Sequence, residues 1–111
     1  RQMIQIHKFD GEDFKVMMQF EGWKIGFLRY SERFSKFCQL ERHTETDEAF
    51  VLLDGSAVLY TENEKIQMQK CTLYNIPKGE WHHITVSENA TVMVAENSNT
   101  SRDNTEKKLL K

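Results

Sequence analysis

The stretch from Leu40 to Gly55, Leu-Glu-Arg-His-Thr-Glu-Thr-Asp-Glu-Ala-Phe-Val-Leu-Leu-Asp-Gly, decides the fold that we expect for this chain. Its first half carries carboxylates and an imidazole, and its second half is the apolar run Ala49–Leu53, which has the length of one buried strand. An Asp54-Gly55 turn signal follows. Groups that bind metals or protons therefore lead directly into a core strand.

A second stretch, Ile76–Ile84, also joins histidines to a strand. It passes from the turn residues Pro77-Lys78-Gly79 through Trp81 to the pair His82-His83. We expect the two stretches to meet in space.

Size and charge limit the classes of protein to consider. The chain has 111 residues, 39% of them hydrophobic, with seven Phe, three Tyr and two Trp, which suffices for one core and predicts a single domain over residues 1–111. A net charge of -2 without a basic run disfavours nucleic acid and anionic membranes as partners.

Targeting signals are not evident in the chain. No apolar run approaches the roughly 20 residues of a membrane span, and Arg1–Gly11 lacks the apolar centre of a signal peptide. Cys38 and Cys71 match no disulfide framework or zinc motif, so both are expected to be reduced. These features favour a cytoplasmic protein.

Short strands separated by turn residues account for most of the chain, whereas Phe14–Phe20 fits either a helical turn or a strand. The polar segment Asn97–Lys111 is predicted to be an irregular tail. The predicted strands are Met3–Phe9, Trp23–Tyr30, Phe37–His43, Ala49–Leu53, Ala57–Tyr60, Ile66–Met68, Leu73–Ile76, His82–Val86 and Thr91–Ala95.

This pattern, with hardly any helical period, predicts an all-β sandwich or barrel. The strands on either side of Asp54-Gly55-Ser56 are expected to pair as a hairpin. Alternation predicts a core that contains Phe50, Leu52, Val58, Ile76, Ile84 and Val94.

The region 41–94 resembles a cupin, a small double-sheet jelly-roll barrel. The first cupin motif has two His separated by one residue, then three or four intervening residues and a Glu, then six intervening residues and a Gly. His43, Glu48 and Gly55 fit this spacing, and Glu41 stands at the place of the first His. In the second motif Pro77, Gly79 and His82 match, whereas Cys71 and Val86 replace the usual Gly and Asn.

The resemblance implies a divalent metal inside the barrel mouth, bound by His43, Glu48 and His82 with Glu41 as a fourth ligand. Two imidazoles and a carboxylate suit Fe, Mn, Ni or Zn. The alternative is a metal-free cluster in which His43 is hydrogen-bonded by Glu41 or Glu48. Alternation places His82 with Ile84 on one face and His83 on the other, so His82 is the inward candidate.

A narrower similarity links the chain to ureidoglycolate lyases, cupin-like enzymes that split ureidoglycolate into glyoxylate and urea. It is carried by Glu41-Arg42-His43, the strand Glu48–Leu53, Gly79–His83 and Asp103–Glu106. It implies that Arg42 or His43 engages the substrate carboxylate and that His82 or His83 is the acid or base.

A third interpretation is a small-molecule-binding module without turnover, since cupins host many unrelated activities. Whichever holds, we expect a homodimer, because a strand-rich arm such as Met3–Phe9 can add to a partner's sheet.

Overall fold

The computed structural model of the protein describes residues 3–110, and no helix among them is long and apolar enough to cross a membrane. Two short 3-10 helices, Glu32–Phe34 and Arg102–Asn104, interrupt an otherwise β-stranded chain. The strands are β1 (Phe14–Phe20), β2 (Trp23–Arg29), β3 (Gln39–His43), β4 (Glu48–Asp54), β5 (Ala57–Thr61), β6 (Lys65–Gln67), β7 (Leu73–Ile76), β8 (His82–Val86), β9 (Thr91–Asn97) and β10 (Thr105–Leu109).

The strands form two five-stranded antiparallel sheets that face each other. The first sheet has the order β1-β2-β9-β4-β7, and the second has the order β10-β3-β8-β5-β6. The chain stays in one sheet only from β1 to β2 and from β5 to β6, and it changes sheet at every other connection between consecutive strands. This is the double-sheet jelly roll that the sequence predicted.

The core lies between the two sheets and follows the period-two alternation of their strands. Of the predicted core residues, Phe50, Leu52, Ile76, Ile84 and Val94 are buried. The prediction that Val58 belongs to the core is wrong. Ala57 and Leu59 face the core from β5 instead, so Val58 lies on the outer face of the second sheet.

The predicted hairpin between the fourth and fifth strands is wrong, because β4 pairs with β7 and β9 whereas β5 pairs with β6 and β8. Gly55 lies where the chain crosses between sheets, with a φ of 72°. A Cβ at this glycine would lie 2.6 Å from the Cα of Ala90, so the crossing packs backbone against backbone. A turn of this kind cannot be distinguished from a hairpin turn by local sequence.

The ambiguous segment Phe14–Phe20 is a strand that pairs with β2 along its length. Its register shifts between Val16 and Met18, which is a β-bulge. The extra residue breaks the period-two pattern, and this explains why the sequence fitted a helical turn equally well.

The N-terminal segment is not a strand in this chain, contrary to the prediction for Met3–Phe9. Its residues up to Lys8 are exposed, and only Phe9 is buried, under the guanidinium of Arg29. Alternation of Ile4 and Ile6 marks a segment with strand propensity, but no strand within residues 3–110 pairs with it.

The C-terminal segment is ordered, so the predicted irregular tail over 97–111 is also wrong for its described part. A turn held by the buried Asn104 leads into β10, which pairs with β3 from Thr105↔His43 to Leu109↔Gln39. Strand β10 therefore closes one edge of the second sheet beside the candidate ligands.

Candidate metal centre

The four predicted ligands lie at one end of the barrel and face its interior. His43 ends β3, Glu48 begins β4 and His82 begins β8, while Glu41 is paired with His82 across the second sheet. The ring centroids of His43 and His82 are 5.5 Å apart. The sequence prediction that these stretches converge is confirmed.

Each imidazole has one ring nitrogen fixed by an acceptor outside the cluster. Nδ1–H of His82 donates to the carbonyl oxygen of Glu80 at 3.0 Å. The Thr105 hydroxyl donates to the carbonyl oxygen of Ser101 at 2.7 Å, so it accepts from Nδ1–H of His43 at 2.9 Å. Both neutral rings therefore present an unprotonated Nε2.

Both Nε2 atoms point at the same carboxylate oxygen. Glu48 Oε1 lies 3.0 Å from Nε2 of His82 and 3.2 Å from Nε2 of His43. With neutral rings, lone pairs would face an ionised carboxylate, an arrangement that needs positive charge to be stable. Either protons on the two rings or a cation bound by all three groups supplies it.

Without a bound metal, the charges of the cluster favour protonation of both histidines. Burial disfavours ionisation of Glu48, but hydrogen bonds from His43, His82 and Glu96 outweigh it and hold the pKa of Glu48 well below its usual range. Burial likewise lowers the pKa of His43 and His82, yet the hydrogen bond and charge of Glu48 prevail and raise the pKa of both.

Glu96 is a member of the cluster that the sequence interpretation missed. It pairs with Glu48 across β4 and β9, and burial together with the hydrogen bond to Glu48 raises its pKa to about 8. Its other neighbour is Lys24, whose Nζ lies 3.9 Å from Glu96 Oε1. Alternation along β9 was the available signal, since Val92, Val94 and Glu96 share the face that points inward.

The side chains fit a metal ion as two overlapping triads. One ligand atom from each of Glu41, His43 and His82 lies within 4.8 Å of the others, and the same holds for His43, Glu48 and Glu96. The fixed Nδ1 atoms provide the outer hydrogen bonds that metal-binding histidines use to orient their rings. The donor set suits a first-row divalent ion.

A cavity of about 650 Å³ opens above the cluster, within the usual size range of small-molecule sites. Its inner part exposes Glu41, His43, Glu48 and Glu96. The apolar part of its wall comprises Phe14, Leu28, Phe34, Phe50, Ile84 and Val94. The arrangement can hold a small molecule against a metal or a proton-transfer group.

None of the three catalytic candidates lines this cavity, although His82 is hydrogen-bonded to Glu48, which does. His83 is on the opposite face of β8 from His82, stacked on Phe37 at 6.0 Å and hydrogen-bonded to the carbonyl oxygen of Lys36. Arg42 points outward from β3, where it pairs with Glu106 at 2.6 Å and lies over Trp81. Only His82 contacts the cluster, because residues adjacent along a strand alternate between faces.

Comparison with known proteins finds no family model and no curated protein that matches the chain. Solved structures do match. A cupin-2 domain containing protein from Shewanella frigidimarina has a TM-score of 0.67 at 22% identity, covering 80% of this chain and 84% of that one. Pac13, a nucleoside dehydratase, has a TM-score of 0.71 at 10% identity, covering 87% and 78%. KdgF from Halomonas has a TM-score of 0.64 at 13% identity, covering 89% and 91%.

At these identities the matches establish the architecture and leave the activity open. The sheet order, the convergence of the two motif stretches and the matched structures agree with one another. The chain has the fold of a small cupin-like jelly-roll domain.

Proposed function

We propose that this protein binds a divalent metal ion through His43, His82 and Glu48, with Glu41 as a further ligand, and accepts a small molecule in the cavity above it. The observation that carries the proposal is the convergence of the Nε2 atoms of His43 and His82 on one oxygen of Glu48, which forms a set of three ligand lone pairs when both rings are neutral. Such a set of lone pairs suits a cation, and imidazole and carboxylate are ligands of Fe, Mn, Ni and Zn.

When bound, a metal of this kind polarises an oxygen of a small molecule that occupies an open coordination position. The protein's own groups do the rest. The apolar wall around Phe34 and Phe50 limits the access of water, and Glu96, whose pKa is raised by burial and by its hydrogen bond to Glu48, is placed to give or take a proton inside the cavity.

The two other interpretations make different demands on these residues. A ureidoglycolate lyase that relied on Arg42 or His83 is not supported, because both side chains lie outside the cavity; a lyase would have to work with His43 and His82. A module that binds without turnover needs the same cavity and metal, so it remains the alternative outcome of the experiment below.

The test is metal analysis of protein purified without chelator, compared between His82→Gln and His83→Gln. These neighbouring histidines are both buried, but only His82 contacts Glu48. We expect close to one metal ion per chain in the wild-type protein and in His83→Gln, and at least a tenfold loss of affinity in His82→Gln, as for removal of a direct ligand.

Equal metal content in the two variants, or none in the wild-type protein after incubation with Mn²⁺, Fe²⁺, Ni²⁺ and Zn²⁺, would reject the metal site. A substrate screen on the loaded protein then separates an enzyme from a binding module. Turnover that is lost in His82→Gln identifies an enzyme, and saturable binding without turnover identifies a module.

A further inference from the structure

Cationic side chains from three separate segments reach the cavity above the cluster. Arg33 comes from the first 3-10 helix, Arg102 from the second, and Lys107 from β10. Lys107 lies on the inward face of its strand, next to Glu41 on β3. The three segments are distant in the chain, and the fold places their positive charges around one opening.

Two of these cations have no carboxylate partner among residues 3–110. Arg33 lies 3.4 Å from Asp13 and packs on the ring of Phe34, whereas no carboxylate lies within 4.0 Å of Arg102 or Lys107. Of the three acidic groups of the cavity, Glu48 is engaged with the two histidines and Glu96 with Lys24, while Glu41 is a ligand of the proposed metal site. A divalent ion at the cluster adds further positive charge, so the opening attracts anions.

The segment that carries Arg102 is held in place by its neighbours. The buried Asn104 side chain accepts from the backbone N–H of Ser101 at 2.9 Å and donates to the carbonyl oxygen of Asn99 at 2.9 Å. Lys24 Nζ donates to the carbonyl oxygen of Thr100 at 2.8 Å. Because this segment is already fixed, the rim of the cavity that carries Arg102 loses little entropy when a ligand binds.

A hydroxyl in the same wall also lacks a partner. Thr100 Oγ1 is buried and makes no hydrogen bond to any described residue, although the side chain lines the cavity. Buried hydroxyl groups are rarely left unpaired, so this one marks a polar position of the wall whose partner is not among the described residues.

We propose that the cavity takes a small organic acid whose carboxylate is bound by Arg102 and Lys107 at the rim, while a second oxygen points to the cluster of His43 and Glu48. The apolar wall, which includes Phe14 and Phe34, holds the carbon skeleton between these two ends. The second contact rests on the metal site proposed above, whereas the rim contact does not.

The experiment measures binding of three matched sets of probes by calorimetry. Mandelate, 3-phenylpropanoate and 2-oxoglutarate are compared with their neutral amides, and phenyl phosphate serves as a phosphate arm. Each is tested on metal-loaded and on chelator-treated protein. The double variant Arg102→Gln/Lys107→Gln removes the rim charges, and the double variant Lys65→Gln/Lys70→Gln removes two exposed charges that lie outside the cavity lining.

We expect carboxylates to bind more tightly than their amides, and the rim variant to lose at least about tenfold in affinity with unchanged metal content, as for loss of charge-assisted hydrogen bonds. The Lys65→Gln/Lys70→Gln control should stay within about twofold. Equal binding of acids and amides, tighter binding of phenyl phosphate than of every carboxylate, or equal losses in the two double variants would overturn the proposal. Rim-dependent carboxylate binding by protein that takes up no metal would support it while rejecting the metal site.

Discussion

Glu48 is the residue that makes the pH dependence of this protein informative. In metal-free protein it raises the pKa of His43 and His82, so their protonation stabilises the fold below the ordinary His pKa of about 6.5. This stability is lost as the pH rises through the raised values. Because Glu48 itself ionises at low pH in the folded chain, its contribution is present above about pH 4.5 and is lost only as the pH falls below that.

The chelator-treated protein should therefore melt at a higher temperature near about pH 5.5 than near about pH 8. Metal binding has the opposite sign, because it needs neutral imidazoles and releases their protons. Added metal should raise the melting temperature at about pH 8 and have little effect at about pH 5.5. Thermal melts across this range, with and without Mn²⁺, measure both effects. A metal-induced rise that is larger at the lower pH would contradict the proposed ligand set.

Glu96 gives a second, independent prediction at this scale. Its pKa of about 8 means that folding holds a proton on this carboxyl, and that stability is lost between the unfolded value of about 4.5 and about pH 8. Gln cannot ionise and still donates a hydrogen bond to Glu48. In the metal-free protein, the free energy of unfolding should fall as the pH rises above about 6, and we expect this fall to be smaller in Glu96→Gln. Urea unfolding at each pH measures it. The exposed Glu88→Gln should leave the pH profile unchanged, and an unchanged profile in Glu96→Gln would show that this carboxyl is ionised in the fold.

At the scale of an element, β10 positions a ligand that lies on another strand. It sets Thr105 opposite His43, and the Thr105 hydroxyl fixes the ring tautomer that leaves Nε2 free. Thr105→Val removes the acceptor and keeps the shape, so we expect metal affinity to fall about 10- to 100-fold, with the matched Thr105→Ser retaining it. The measurement is competition with a fluorescent chelator. Equal metal affinities of Thr105→Val and Thr105→Ser would mean that this hydroxyl does not orient the ring of His43.

The same strand shows why part of the site escaped prediction. His43, Glu48 and His82 were identified because each belongs to one of two short sequence motifs that resemble those of cupins. The inward residues of β10 line a polar cavity, so Thr105 and Lys107 give no hydrophobic alternation. Long-range pairing, such as that between β10 and β3, leaves no mark on either segment alone. Glu96 differs, because its alternation with Val94 was readable.

At the scale of the whole molecule, the outer faces of the two sheets differ in character. The outward side chains of the second sheet form ion pairs, such as Arg42 with Glu106 and Lys108 with Glu62. Those of the first sheet are mostly apolar and are not fully buried: Ile25, Phe27, Ala49, Val51, Leu53, Leu73, Met93 and Ala95. Contiguous apolar surface of this kind marks an interaction site.

We propose that a second copy of the chain covers this apolar face. The sheet has five strands about 4.8 Å apart, four of them with seven residues and β7 with four, so it spans roughly 24 by 23 Å. The arm Met3–Lys8 leaves the body at Phe9, beside Arg29 on the same face, and Ile4 and Ile6 are about three-quarters exposed. Face and arm together can supply the roughly 800 Å² per partner that a stable dimer needs.

Met93 lies on β9, the central strand of this face, so Met93→Lys places a charge in the middle of the proposed interface. The matched Thr85→Lys places the same charge on the outer face of β8, the central strand of the second sheet. We expect light scattering to give a dimer mass for the wild-type protein and Thr85→Lys, and a monomer mass for Met93→Lys, because an unpaired buried charge costs several kcal/mol, roughly 3–5, at an interface. Both variants change a solvent-facing position of the monomer, so their circular dichroism should match the wild type. A wild-type monomer would reject the dimer, and a dimer that Met93→Lys leaves intact would place the interface on another surface.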